Sequence, residues 1–198
     1  MVEKKVSKVK EKISAETVEE IYAPREDSFL LEGVILKRDL RGKKCLDMGC
    51  GSGIQSKAMF AAGAAEVVAV DVSDAALKQT KKNAQFLGQL PRALKSDLFS
   101  EIKEKFDFIA FNPPYVPSDS LRWRDTDGGK NGRVVINRFL SQFSDCLNKG
   151  GVLLLLVSSL NDEKDVSKIL KIKGFEVSFV AQKKLFFETL FVIGAVKK

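Results

Sequence analysis

A chain of 198 residues with 44% hydrophobic and 30% charged residues is long enough for one well-buried domain and too short for two generous ones. It has no histidine, which excludes an imidazole base and most zinc or iron sites; its three cysteines, Cys45, Cys50 and Cys146, show no CxxC spacing and read as reduced thiols with no metal to hold. The net charge of +7 is compatible with an RNA-rich or ribosome-associated partner but does not require nucleic acid.

From the N-terminus, Met1-Val2-Glu3-Lys4-Lys5 leads into no apolar signal core, and no stretch is long and apolar enough to span a bilayer, so a cytoplasmic protein without membrane contact is expected. Residues 1–20, with Lys4, Lys5, Lys8, Lys10 and Lys12, read as a basic solvated arm ahead of a single domain over residues 21–198. Pro24 to Leu40 is predicted helical, with Pro24 at its start and Phe29, Leu30, Val34 and Ile35 on one face. Short apolar runs then mark strands at Lys44 to Met48, Glu66 to Val72, Ala93 to Ser96, Phe106 to Phe111, Val152 to Ser158, Glu176 to Ala181 and Glu188 to Val196. Helices fill most gaps between them. Ser73-Asp74 caps one that runs to about Phe86 with Gly88 as its stop, and Val135 to Leu147 forms another that ends before Gly150-Gly151.

This alternation specifies an α/β, doubly wound fold, with helices on both faces of a mostly parallel sheet of seven strands. The last two strands are separated only by the stretch around Lys183-Lys184-Leu185-Phe186, too short for a crossover helix, so they pair antiparallel. A Rossmann-like sheet with an antiparallel last strand is the architecture of class I S-adenosylmethionine methyltransferases, which the chain resembles.

The chemistry-bearing residues fall at predicted strand ends. Gly49-x-Gly51-x-Gly53 follows a strand and opens a helix, where backbone can approach a nucleotide-like cofactor closely. Ile54 stands where a dinucleotide fingerprint needs glycine, so NAD spacing fails. Asp47, just before the loop, is expected beside the cofactor's charged end, where a carboxylate suits an amino group. Asp71, with Val72 after it, closes the second strand as a ribose clamp, and Asp97-Leu98 ends the third, the acid accepting from an adenine amino group while the leucine packs beside the ring. Each aspartate taken alone is equally a strand-end or capping residue. Asn112-Pro113-Pro114-Tyr115 follows the fourth strand: two prolines fix φ and remove two donors, leaving carbonyls free to accept. The Asn112 oxygen can accept from an NH2 group while the Tyr115 ring covers its flat face, an arrangement suited to methyl transfer onto a planar nitrogen.

With DMGCGSG, VVAVDVS, SDLF and FNPPYVP in place, the chain resembles the HemK/PrmC glutamine methyltransferases, which methylate release factors. Tyr22-Ala23-Pro24-Arg25-Glu26-Asp27-Ser28-Phe29-Leu30-Leu31 is similar to the signature of the short archaeal and eukaryotic branch, and Asp127-Gly128-Gly129-Lys130-Asn131-Gly132-Arg133 to its G-G-x-x-G-R loop. The resemblance covers residue 22 to about residue 196 and leaves no room for the bacterial branch's separate N-terminal helical domain. It implies S-adenosylmethionine as cofactor, contacted at its methionine end by Ser28, and N5 of the glutamine in a release factor's Gly-Gly-Gln motif as acceptor, held by Asn112 and the Pro113 carbonyl. It also implies a small zinc-binding activator protein that pairs with a sheet edge. The loop from Val116 to Arg133, with the sole tryptophan, Trp123, is a candidate substrate lid. Three alternatives stay open: a nucleic-acid methyltransferase acting on N6 of adenine or N4 of cytosine, a protein lysine methyltransferase, and a catalytically silent cofactor-binding scaffold.

Overall fold

The computed structural model describes residues 23–84, 89–118 and 127–198. The N-terminal arm, Tyr22, the predicted helix end at Phe86 and Gly88, and Trp123 lie outside the described residues.

Seven strands form one sheet in the order β3-β2-β1-β4-β5-β7-β6: β1 (Lys44–Met48), β2 (Glu66–Asp71), β3 (Arg92–Lys95), β4 (Phe106–Phe111), β5 (Leu147–Ser158), β6 (Phe175–Lys184) and β7 (Thr189–Lys197). The first five run parallel, and β7 lies antiparallel between β5 and β6. Helices α1 (Glu26–Ile35), α2 (Ile54–Ala61), α3 (Asp74–Ala84), α4 (Val134–Gln142) and α5 (Glu163–Ile172) supply the covering layers. Strands such as Cys-Leu-Asp-Met and Val-Val-Ala-Val read as near-continuous apolar runs because both of their faces are buried.

One face of the sheet packs Leu46, Ile109, Leu153 and Ile193 against Ile136 and Phe139 of α4 and Val166 and Leu170 of α5. The other packs Cys45, Phe108, Leu154 and Val192 against Leu31 and Ile35 of α1 and Met59 of α2. A run of phenylalanine rings ties the first face together: Phe111–Phe139 at 4.7 Å, Phe139–Phe143 at 5.3 Å and Phe143–Phe175 at 4.9 Å between centroids. Each such buried ring contributes roughly 1.5–3 kcal/mol relative to exposure. The chain leaves β1 toward β2 and β3 on one side and resumes with β4 on the other, so a crevice opens at the C-terminal ends of β1 and β4.

Three expectations are corrected. The first helix is Glu26–Ile35 rather than Pro24 to Leu40, and Phe29 on it is 52% exposed. Its inward face is Asp27, Ser28, Leu31, Val34 and Ile35, because the two polar residues find hydrogen-bond partners beneath the helix. The predicted helix to Leu147 stops at Gln142, passes through a 3-10 turn at Phe143–Cys146, and yields to β5 at Leu147, which pairs with Phe106. Gly150 and Gly151 accordingly lie inside β5, in the register shift between Phe106 and Phe108, and do not stop a helix. Finally, β6 runs from Phe175 to Lys184, longer than expected, because it pairs with β7 along most of its length.

Candidate functional site

The glycine loop is shaped by hydrogen bonds between its backbone and side chains of β2 and α3. Gly51 N–H donates to Asp71 Oδ2 (3.0 Å) and Ser73 N–H to Asp71 Oδ1 (2.9 Å), so Asp71 holds the loop with both oxygens and keeps one lone pair on each for a ligand. From α3, Thr80 Oγ1 donates to Gly51 O (3.1 Å) and Asn83 Nδ2 to Ser52 O (2.8 Å). Gly53 has φ +80°, and a Cβ there would lie 2.8 Å from Thr80 Cα, so the loop can seat on α3 only with glycine at this position. Thr80 and Asn83 carried no motif signal and emerge only from the packing.

Asp47 departs from the expected position. It is 1% exposed, lies beneath the loop rather than on the cavity wall, and its Oδ2 accepts from Ser56 N–H (2.8 Å) and Ser56 Oγ–H (2.6 Å), which fixes the first turn of α2. Burial pushes its carboxyl up to about 7; the Ser56 hydrogen bonds oppose this and the nearby Asp71 charge adds to it. An acid raised in the folded state is more protonated there than in the unfolded chain, so its contribution to stability is lost as pH rises from about 4 through 7. At pH 8 the buried charge then costs roughly 4 kcal/mol as an upper figure. Asp47→Asn can still accept from Ser56, and its melting temperature should fall less between pH 5 and pH 8 than that of the native protein. Parallel slopes in thermal melts would refute this account.

At the end of β3, Ser96 Oγ donates to Leu98 O (2.9 Å), and Leu98 is held with φ 51°, uncommon for a branched side chain, in a buried position on the cavity wall. The neighbouring Asp97 is exposed and accepts from Arg138 Nη2 of α4 (2.8 Å), a partner the sequence did not single out.

Asn112 leaves β4 beside α1. Its Nδ2 donates to Asp27 Oδ2 (3.2 Å) and Ser28 Oγ (3.4 Å), across more than eighty residues of sequence. Among the described residues, two buried side-chain atoms accept no hydrogen bond: Asn112 Oδ1 and Gln55 Oε1. Gln55 Nε2 donates to Ser28 O (3.0 Å), so both orphaned acceptors flank the same serine. Tyr115 sits half-buried where the two core layers meet, and its carbonyl accepts from Asn161 Nδ2 (2.8 Å). The same Nδ2 reaches Asn131 O and Gly132 O (3.3 Å each), and Arg133 Nη1 donates to Asn161 O (2.8 Å). Asn161, which no motif marked, thus ties the glycine-rich loop to the exit of the Asn-Pro-Pro-Tyr segment.

These elements enclose a cavity of about 590 Å³, a size suited to a small-molecule ligand. Ser28, Gly49, Gly51, Asp71, Val72, Asp97, Leu98, Asn112, Pro113 and Tyr115 all line it, together with Asp27, Gln55, Asp127 and Arg138. An adenosine carrying a charged amino-acid tail fits this set of groups: carboxylates stand at the ends of β2 and β3, the glycine backbone after β1 lies beside the first of them, and two acceptors await donors. Cys45 and Cys50 are buried with their thiols pushed up by desolvation, and among the described residues no cluster of His, Cys, Asp or Glu could hold a metal ion. No described helix is long and apolar enough to cross a membrane.

The family model of the methyltransferase small domain matches residues 27–187. A Methanocaldococcus jannaschii protein with the provisional name protein N5-glutamine methyltransferase is 40% identical over 182 residues, covering 89% of this chain and 91% of the relative. The human methyltransferase HEMK2 is 30% identical, with 90% of each chain covered. Among solved structures, a chain of the E. cuniculi Mtq2–Trm112 complex, a complex described as responsible for methylating the translation termination factor eRF1, is 29% identical with a TM-score of 0.75, covering 89% of this chain and 98% of its own. The glycine loop, the strand-end acids and the Asn-Pro-Pro-Tyr rim thus sit in a chain that belongs to the methyltransferase small domain family, in its branch of HemK/PrmC-type, S-adenosylmethionine-dependent N5-glutamine methyltransferases.

Proposed function

We propose that this enzyme methylates N5 of the glutamine in the Gly-Gly-Gln motif of a peptide chain release factor. The observation that carries the reading is the Asn112 amide: its NH2 end is engaged by Asp27 and Ser28, while its oxygen is buried without a partner among the described residues, at a rim built of prolines. A glutamine amide brings two N–H donors, and this reading assigns Asn112 Oδ1 and the Pro113 carbonyl as the two acceptors that receive them. The Gly49–Gly53 loop, Asp71, Val72, Asp97, Leu98 and Ser28 would hold S-adenosylmethionine, which when bound supplies a methyl group on a positively charged sulfur.

An amide nitrogen is a weak nucleophile because its lone pair is delocalised, so the rim must hold it in line at a near-attack distance of roughly 3–3.5 Å. As that nitrogen gains positive character its hydrogens bind the two oxygens more strongly, which stabilises the transition state more than the ground state. No side chain is assigned as a general base, and the spare amide proton leaves to water. Tyr115 covers the flat face of the amide. Its backbone is held by Asn161, so the rim keeps its shape without substrate.

The reading extends to a small zinc-binding activator covering one of the two sheet edges, β3 or β6, and to the cytoplasm, where release factors act. Support for a partner comes from the relative solved with Trm112. The test is incubation with methyl-labelled S-adenosylmethionine and a release factor, DNA or a lysine-rich protein in parallel, with and without a candidate activator, followed by mass-spectrometric mapping. A single methyl on the Gly-Gly-Gln glutamine is expected; label confined to DNA bases or to lysine would sink the proposal.

A further inference from the structure

Asp27 lies one residue before Ser28 on the first turn of α1, is 4% exposed, and borders the cavity. It stands outside the glycine loop, the strand-end acids and the Asn-Pro-Pro-Tyr segment. We infer that Asp27 is the positioning residue for the reaction: it fixes which end of the Asn112 amide faces the acceptor nitrogen.

An asparagine amide has two ends of nearly equal shape and opposite hydrogen-bonding sense, and a half-turn about its last bond exchanges them. In one orientation Asn112 presents an acceptor to the substrate's NH2 group; in the other it presents two donors to a group that is itself a donor, and the rim repels its substrate. Shape alone does not choose between them. A carboxylate does, because it can only accept. Asp27 Oδ2 lies 3.2 Å from Asn112 Nδ2, so the reversed amide would set oxygen against oxygen at that distance in a buried site. Ser28 Oγ, 3.4 Å from the same nitrogen, cannot impose this choice, since a hydroxyl both donates and accepts.

Asp27 is itself oriented. Its Oδ1 accepts from Ser28 N–H at 2.6 Å and from Ser28 Oγ at 3.3 Å, which turns Oδ2 toward Asn112. The helix is anchored beneath by Leu31 and Ile35, both fully buried, and at its outer edge Glu26 pairs with Lys183 of β6. That Asn112 Oδ1 has no partner among the described residues follows from the orientation that Asp27 imposes.

The inference rests on Asn112 accepting from the substrate, and its test uses whichever acceptor the native enzyme methylates, so the two can fail separately. If the glutamine reading fails, the native enzyme leaves the release factor unlabelled; if this inference fails, Asp27 variants behave like the native enzyme on its true acceptor. Asp27→Asn keeps the shape but no longer forbids the reversed amide. It should lower kcat about 10²-fold with the KM for cofactor nearly unchanged, as expected when reacting groups are misplaced. Asp27→Glu, still acceptor-only, should retain a larger share of kcat. Asp27→Asn combined with Asn112→Ala should be no slower than Asn112→Ala alone, because both remove one function. Independently of turnover, the Asn112 side-chain NH2 signal in NMR should be protected from hydrogen exchange in the native protein and lose protection in Asp27→Asn. If that variant does not fold, Asp27→Ser takes its place with the same expectations. A kcat within twofold of native, equal losses in the Asn and Glu variants, additive losses in the double variant, or unchanged NH2 protection would each overturn the assignment.

Discussion

Replacing Asn112 by alanine is expected to slow methyl transfer by about 10²–10³-fold, the range seen when one preorganised hydrogen-bonding group is removed from a developing charge. The reason lies in what the side chain does at each end. Its oxygen has no partner among the described residues, so deletion removes an interaction left for the substrate to complete. Its nitrogen engages buried Asp27, so deletion also withdraws a donor from a buried carboxylate and should lower stability by about 1–3 kcal/mol. Stopped-time assays on the release factor, with cofactor concentration varied, separate two roles. If Asn112 holds the acceptor, kcat falls with little change in the KM for S-adenosylmethionine; if it serves only the cofactor, that KM rises while kcat at saturation holds. The second outcome, or retained methylation, removes the assigned role.

Gly132→Ala is expected to have the largest effect on stability. Gly132 has φ +63°, and a Cβ there would lie 1.9 Å from Tyr115 O and 2.4 Å from Asn161 Nδ2. Neither atom is the loose end of a flexible chain: one is backbone, and the other donates to three carbonyls. The left-handed conformation costs a non-glycine residue roughly 1–2 kcal/mol. Forcing Tyr115 and Asn161 apart adds about 1–3 kcal/mol of overpacking. At about 2–4 °C per kcal/mol for a domain of this size, the melting temperature should drop by roughly 5–15 °C. Activity should fall further than stability does, because the atom displaced is the carbonyl that closes the Asn-Pro-Pro-Tyr rim. Calorimetry and turnover measured below the melting transition check both parts; a melting temperature within 2 °C of native would contradict the packing argument.

How far the sequence disclosed the site depends on the kind of signal. Two strand ends were legible, because Asp71 and Asn112 each close an apolar run whose length and flanks mark it as a buried strand, whereas Asp97 follows the short edge strand Arg92–Lys95, which has no fully buried residue. Their convergence followed from the parallel topology, which brings the C-terminal ends of neighbouring strands to one edge. Asp47 was misplaced. One position in a strand decides whether a side chain points into the cavity or beneath the loop, and sequence spacing alone did not show that Ser56 would claim the carboxylate. Phe29 was placed on the wrong face of its helix, because the α1 face that packs inward includes two polar residues whose partners, Asn112 and Gln55, are distant in the chain.

Asn161, Thr80, Asn83 and Arg138 left no trace in any motif. Each acts through one hydrogen bond or a few bonds to residues 29 to 46 positions away, and such a bond has no local periodicity to reveal it.

By itself, then, the sequence determined the class of fold, the branch of methyltransferases and the planar nitrogen as acceptor, since these depend on residue types at strand ends and on glycine and proline, whose backbone limits are local. Only the tertiary structure decided which way the Asn112 amide faces, which acid stands beneath the loop, and what locks the Asn-Pro-Pro-Tyr rim. Those are questions of direction and partner, and hydrogen bonds between distant segments answer them.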